Sequence, residues 1–246
     1  VTSLMSGTDL EYQSHQSVAS YLNGEYWGLY KIREKVNEHF IASKANVDPD
    51  EIDIITNYDE VVHGTNEDYL NLRNFIETNN LADSSNYEYV KTQVDIDNFI
   101  IYNVIQIYGD NHDWPGNNIK FWKSDGGKWR WILYDTDFSF SGQWWAWDVN
   151  NHYLYNSLDR VLSGIQTNWA NAPWSTLILR KLIQNIEFRN KFVNRYADEI
   201  NTRFLASNVV QHFNDIYEEI LDEVPDHMER WNSEDDPYNY VELMIN

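Results

Sequence analysis

A chain of 246 residues with 42% hydrophobic and 15% aromatic side chains carries enough apolar surface for a sizeable core. Its 39 acidic against 18 basic residues leave a formal charge of −21. That argues against a nucleic-acid partner, because phosphate backbones need clustered Lys and Arg, and it suits basic polypeptides or cations. The lack of cysteine excludes disulfides and thiolate metal sites, and neither a signal peptide nor an apolar run long enough to span a membrane is present.

Residues 1–16 are polar and read as irregular. Residues 17–22 (SVASYL), the Asn23-Gly24 dipeptide and residues 26–34 (YWGLYKIRE) read as a hairpin, because Asn-Gly supplies the positive φ that a two-residue turn demands. Alternation puts Tyr26, Gly28, Tyr30, Ile32 and Glu34 on one face of its second strand. Residues 36–44 suit a short helix, and 52–56 (IDIIT) a short strand after the Asp48-Pro49 turn. Residues 66–79 carry Tyr69, Leu70, Leu72, Phe75 and Ile76 at helical spacing. Two more helices are expected over 84–92 and 95–108, the second with Asp95 near its start and a dense apolar face. Residues 141–172 are rich in Trp and Asn, lack periodicity and read as a long loop. Helices are expected over 173–185, 187–205 and 207–223, and residues 226–246 begin as another and end polar and acidic. Strands first, then helices with one embedded hairpin, make the chain α+β.

That embedded hairpin lies in residues 109–140, GDNHDWPGNNIKFWKSDGGKWRWILYDTDFSF. Residues 118–123 and 128–134 read as its strands, with Ser124-Asp125-Gly126-Gly127 as the turn. The hairpin brings its outer ends together, so Asp110, Asp113, Asn117, Asn118, Asp135 and Asp137 become candidates for one pocket. Converging carboxylate and amide oxygens suit a hard divalent cation such as magnesium. Asp113 lies five positions before Asn118, the separation between the base and the metal-binding Asn of a protein-kinase catalytic loop. The bland reading is that these are turn formers, since Asp, Asn and Gly dominate loops for backbone reasons. Trp114, Trp122, Trp129 and Trp131 read as core around the hairpin. Trp144, Trp145, Trp147, Trp169 and Trp174 read as buried packing, or alternatively as a substrate platform. His112 reads as a loop histidine. The acidic run from Asp215 to Asp236 reads as a solvated face.

Four segments resemble the spore coat protein H (CotH) family of atypical, secreted or surface-associated protein kinases: YLNGEYWGLYKIREKV (21–36), GDNHDWPGNNIKFWK (109–123), KWRWILYDTDFSF (128–140) and DHMERWN (226–232). The resemblance spans about residues 20 to 235. It implies a protein-kinase-like fold, with a small β-rich N-terminal part over 1–60 that reads as truncated. A larger helical C-terminal lobe over 61–246 would carry the hairpin, all in one continuous domain. It implies ATP with Mg²⁺ or Mn²⁺, and transfer of the γ-phosphate to Ser or Thr of a protein substrate expected to be basic and Ser-rich. By position, Asp113 matches the catalytic Asp, Asn118 a metal-ligating Asn, and Asp135 the metal-binding Asp. Asp137 is an alternative or second ligand, and Glu34 matches a Glu near the nucleotide. The implied setting is a spore coat or an extracytoplasmic surface. One departure stands out: family members carry a basic residue facing the phosphates ahead of the Asn-Gly hairpin, whereas the first cation here is Lys31. Two other readings fit the same residues: a non-catalytic coat-assembly or glycan-binding module, and a cation-dependent hydrolase.

Overall fold

The computed structural model describes residues 1–140, 155–165 and 171–231. The strands are β1 (Glu11–Tyr12), β2 (His15–Leu22), β3 (Glu25–Arg33), β4 (Ile52–Thr56), β5 (Glu60–His63), β6 (Lys120–Ser124) and β7 (Arg130–Leu133). The helices are α1 (Glu38–Ala45), α2 (Glu67–Thr78), α3 (Ser84–Gln93), α4 (Ile96–Tyr108), α5 (Ser157–Leu162), α6 (Leu177–Leu182), α7 (Ile186–Ile200), α8 (Ala206–Glu218) and α9 (Val224–Trp231). The fold is α+β, and the chain divides into two compact units: Val1–Gln13 with Lys35–Asp198, and Ser14–Glu34 with Glu199–Asn246.

The first unit is built on a five-stranded sheet in the order β1-β7-β6-β4-β5. The hairpin β6–β7 is its centre, with Phe121 opposite Trp131. Strand β4 pairs antiparallel with β6, and β1 adds in parallel to β7, placing Glu11 opposite Ile132. Two expectations need correction here. Residues 1–16 are not irregular throughout: they hold a 3-10 turn (Thr2–Met5), β1 and the start of β2. A two-residue strand shows no period in sequence. What fixes it is long-range: Gln13 N–H donates to Leu133 O (2.9 Å), and the Arg130 guanidinium reaches Glu11 (2.8 Å) and Asp95. Strand β5 also goes unread, because Val61 and Val62 are exposed and leave no apolar–polar alternation.

Both faces of the hairpin are covered, which is why large apolar residues stand on both sides of its strands, Phe121 beside Trp122 and Trp131 beside Ile132. On one face Phe121 meets Tyr69 of α2 (ring centroids 4.5 Å), and Trp131 meets Phe99 of α4 (4.6 Å). On the other, Trp122, Ile132, Ile52 and Ile54 pack with Val36, Phe40 and Ile41. Helix α4 is buried nearly all round, as a helix apolar on every side must be. It starts where the Asp95 side chain accepts Asn98 N–H (3.2 Å). Asn98 then acts as a peptide mimic against the sheet: its Oδ1 accepts Trp131 N–H (2.6 Å), and its Nδ2 donates to Trp131 O (3.2 Å) and Glu11 Oε2 (3.1 Å).

The stretch 141–172 is not loop throughout, since α5 lies within it; the Asn156 side chain caps that helix by accepting Asp159 N–H (3.0 Å). The helix expected over 173–185 narrows to α6, because Thr176 sits at a non-helical φ of −107° and the preceding residues form turns.

In the second unit β2 and β3 pair antiparallel about Asn23 (φ 53°) and Gly24 (φ 86°), the two left-handed residues of the expected tight turn. Helix α9 seats on β3: Trp231 Nε1–H donates to Trp27 O (2.9 Å), and His227 Nδ1 accepts Leu29 N–H (3.0 Å). Gly28, at φ +124°, lies so close that a Cβ there would stand 2.7 Å from Trp231 Nε1 and 2.8 Å from His227 Nδ1. The Gly-Leu strand and the His-x-x-x-Trp helix are therefore one packing unit.

Asn98→Ala strands the buried Trp131 N–H without a partner, so it should destabilise the fold by about 2–3 kcal/mol in urea denaturation. A loss below about 0.5 kcal/mol would contradict the peptide-mimic role.

Candidate active site

The site is assembled from two loops of the first unit: residues 109–119, between α4 and β6, and residues 134–140, after β7. They are laced together by backbone. Phe140 N–H donates to Gly109 O (2.7 Å) and His112 N–H to Phe138 O (3.1 Å). Asp110, Asn118 and Asp135 adopt left-handed φ values of 45°, 54° and 48°, a region Asn and Asp tolerate better than other side-chain-bearing residues.

Asp113 is buried, 6% exposed. Its Oδ2 accepts from both neighbouring amides, Asn117 Nδ2 (3.0 Å) and Asn118 Nδ2 (2.6 Å). Its Oδ1 is buried without a hydrogen-bond partner among the described residues. Asn118 Nδ2 also lies 3.5 Å from Asp135 O, tying the two loops at the site itself. Burial pushes the Asp113 carboxyl above its ordinary value, and the charges of Asp135 and Asp137 add to this; the Asn117 and Asn118 amides oppose it. The net effect is a stronger base than a surface carboxylate.

Asp113, Asn118, Asp135 and Asp137 thus share one neighbourhood, with Asp135 half-buried and Asp137 exposed. Glu34 belongs to the second unit. There its carboxylate accepts Ser14 N–H (2.9 Å), while its own N–H donates to Ser14 O (3.1 Å), closing the open end of the β2–β3 hairpin. His112 faces Asp110, with Nε2 2.7 Å from Oδ2. Lys120 directs its ammonium to Val36 O (3.2 Å) and over the Tyr134 ring (5.0 Å). Trp114, Trp122, Trp129 and Trp131 are buried, and Trp174 packs edge-on to Tyr58 (5.1 Å). Trp144, Trp145, Trp147 and Trp169 lie outside the described residues.

Among the described residues, no three His, Asp or Glu side chains group to hold a metal ion. The donor set nonetheless fits magnesium chemistry. Mg²⁺ is bound through one or two carboxylates, with water and substrate phosphates completing the shell, rather than by an all-protein cage. Because Asn118 spends its N–H on Asp113, its amide oxygen is the atom left to ligate.

Two contributors escape the sequence reading. Asn111, fully buried, receives Asp113 N–H on its Oδ1 (3.1 Å) and donates to Gln106 Oε1 (2.9 Å). Its signal was an Asn two residues before the key Asp, the spacing of a side-chain-to-backbone turn. Arg160 of α5 donates to the carbonyls of Asn111 and Trp114, and no local pattern announces it.

An Asp followed five positions later by an Asn, with a further Asp after the next hairpin, is the order in which a protein-kinase site carries those groups. The family model described as CotH kinase protein matches residues 1–245. The chain belongs to the CotH kinase family. A search of curated proteins gave no match.

A carboxyl whose pKa rises on folding holds its proton more tightly in the folded chain, so its ionisation at neutral pH opposes folding. That cost fades as the pH falls through the raised value. Asp113→Asn should therefore melt higher than the wild type at pH 7 in scanning calorimetry, with the gap closing toward pH 3. An equal or lower Tm at pH 7 would contradict the electrostatics described.

Proposed function

We propose that this chain is a metal-dependent protein Ser/Thr kinase that transfers the ATP γ-phosphate to a hydroxyl of a protein substrate. The observation that carries the reading is the Asp113 carboxylate, with one oxygen held by two amides and the other buried without a partner. A substrate Ser or Thr hydroxyl that reached that second oxygen would hydrogen-bond to it and pass it a proton. The freed oxygen attacks the γ-phosphorus, the bond to the β-phosphate bridging oxygen breaks, and ADP leaves.

Asn118 and Asp135, with Asp137 as an alternative or second ligand, would hold Mg²⁺ or Mn²⁺. When bound, the cation supplies charge neutralisation at the phosphate oxygens. By resemblance Glu34 is assigned to the nucleotide. The net charge of −21 favours a basic protein substrate. Among the described residues no helix is long and apolar enough to cross a membrane. From the resemblance alone, the setting we infer is a spore coat or an extracytoplasmic surface.

With γ-labelled ATP, Mg²⁺ and a basic Ser-rich protein, the wild type should transfer label. Asp113→Ala and Asp135→Ala should each lower the rate at least a hundredfold while keeping native circular dichroism. Either variant retaining wild-type transfer would remove the assignment of that residue. ATP with Mg²⁺ should raise the wild-type Tm, as any ligand of the folded state must; a non-catalytic module that ignores nucleotide would show no shift.

A further inference from the structure

We propose that Arg160 is the positioning residue that fixes Asp113 in its working orientation, gripping the acid loop from helix α5. The inference rests on the kinase reading for its effect on rate, and on geometry alone for its effect on the loop. Arg160 Nη1–H donates to Trp114 O (2.9 Å), and Nη2–H donates to Asn111 O (3.1 Å). These two carbonyls bracket residue 113. The side chain is 13% exposed and lies 3.5 Å from the Asp110 carboxylate, so its charge is answered within the loop it holds.

A second contact comes from the same helix face. Ser157, three residues earlier and therefore one turn away, donates its hydroxyl to Asp110 Oδ1. His112 contacts the other oxygen of that carboxylate. Helix α5 thus meets residues 110, 111 and 114, which flank Asp113 in the loop; one of them, Asn111, also accepts the Asp113 N–H. The choice of arginine follows from shape. A planar guanidinium offers parallel N–H groups to two separate carbonyls, whereas an ammonium on a flexible stem offers point contacts and cannot fix their spacing.

The consequence for rate is geometric. A base must sit within hydrogen-bond reach of the proton it takes, and a displacement of about 1 Å can cost on the order of a hundredfold. Asn111 supports the loop from the α4 side, through Gln106. Arg160 is its counterpart from the α5 side, so the acid loop is held between two helices.

The test is Arg160→Lys in the full chain, with two readouts. The first is hydrogen exchange. Amides of residues 111–114 should exchange about tenfold or more faster, while α4 and β6 stay as in the wild type. The second is steady-state kinetics. The kcat should fall roughly ten- to a hundredfold, with KM for ATP within about twofold of the wild type. Unchanged loop exchange overturns the proposal, and so does an equal rise across α4 and β6, the mark of a merely structural role. Unchanged kcat in a chain whose wild type transfers phosphate also overturns it, and leaves the kinase reading intact. If the wild type transfers no phosphate, the kinase reading fails, while the exchange result still decides whether Arg160 holds the loop. Should Arg160→Lys not fold, Ser157→Ala removes only a hydroxyl; it should speed loop exchange about threefold, and no change there counts against the proposal.

Discussion

Two amide groups donating to one oxygen of a buried carboxylate are the interaction on which the site depends. Asn117 and Asn118 hold Asp113 Oδ2 at 3.0 and 2.6 Å. Burying a carboxylate is costly, and Asp135 and Asp137 add like-charge repulsion. The amides oppose both effects by hydrogen-bonding the charged form. They also fix the carboxylate in direction, while burial and the neighbouring charges keep its basicity above the ordinary value. The Asn118 bond also fixes the direction of that residue's amide oxygen.

That arrangement needs a rigid frame, and the sheet provides it. Strands β6 and β7 are clamped by aromatic rings on one face and by the Ile52, Ile54 and Phe40 cluster on the other. Their outer ends cannot separate without disturbing a packed interior, whose close packing resists small shifts. The residues that do the work sit just beyond those ends, on loops laced to each other by backbone bonds. Loops carrying function on a stiff scaffold are the usual division of labour. Left-handed Asp110, Asn118 and Asp135 mark where the chain gives up regular structure at the site.

What was legible in the sequence was whatever is local. The Asn23-Gly24 turn, the Asp95 cap of α4 and the hairpin at 118–134 follow from turn chemistry and period. The proximity of Asp113, Asn118 and Asp135 follows from that hairpin, because strand ends must meet. What stayed hidden was non-local. The two-residue β1 exists because Leu133 and Arg130 hold it. Asn98 looks like an ordinary polar helix residue until Trp131 is placed beside it. Arg160 lies in a stretch without periodicity, and its partners are backbone carbonyls, which carry no sequence signature at all. Asn111 stood between these cases: its bond to the Asp113 N–H is local, yet its burial is set by α4.

Membership of the CotH kinase family gives the fold a lineage, while the chemistry rests on particular atoms. The claim at the centre is that Asn118 and Asp135 present oxygens to a divalent cation beside the Asp113 base. Electron paramagnetic resonance of Mn²⁺ with ATP reads this most directly, because the spectrum of the ion changes when protein oxygens enter its shell. The account predicts that the wild type, titrated into Mn²⁺–ATP, perturbs that spectrum saturably and that Asp135→Asn abolishes the perturbation at the same protein concentration. An Asp135→Asn spectrum identical to that of the saturated wild type would contradict it.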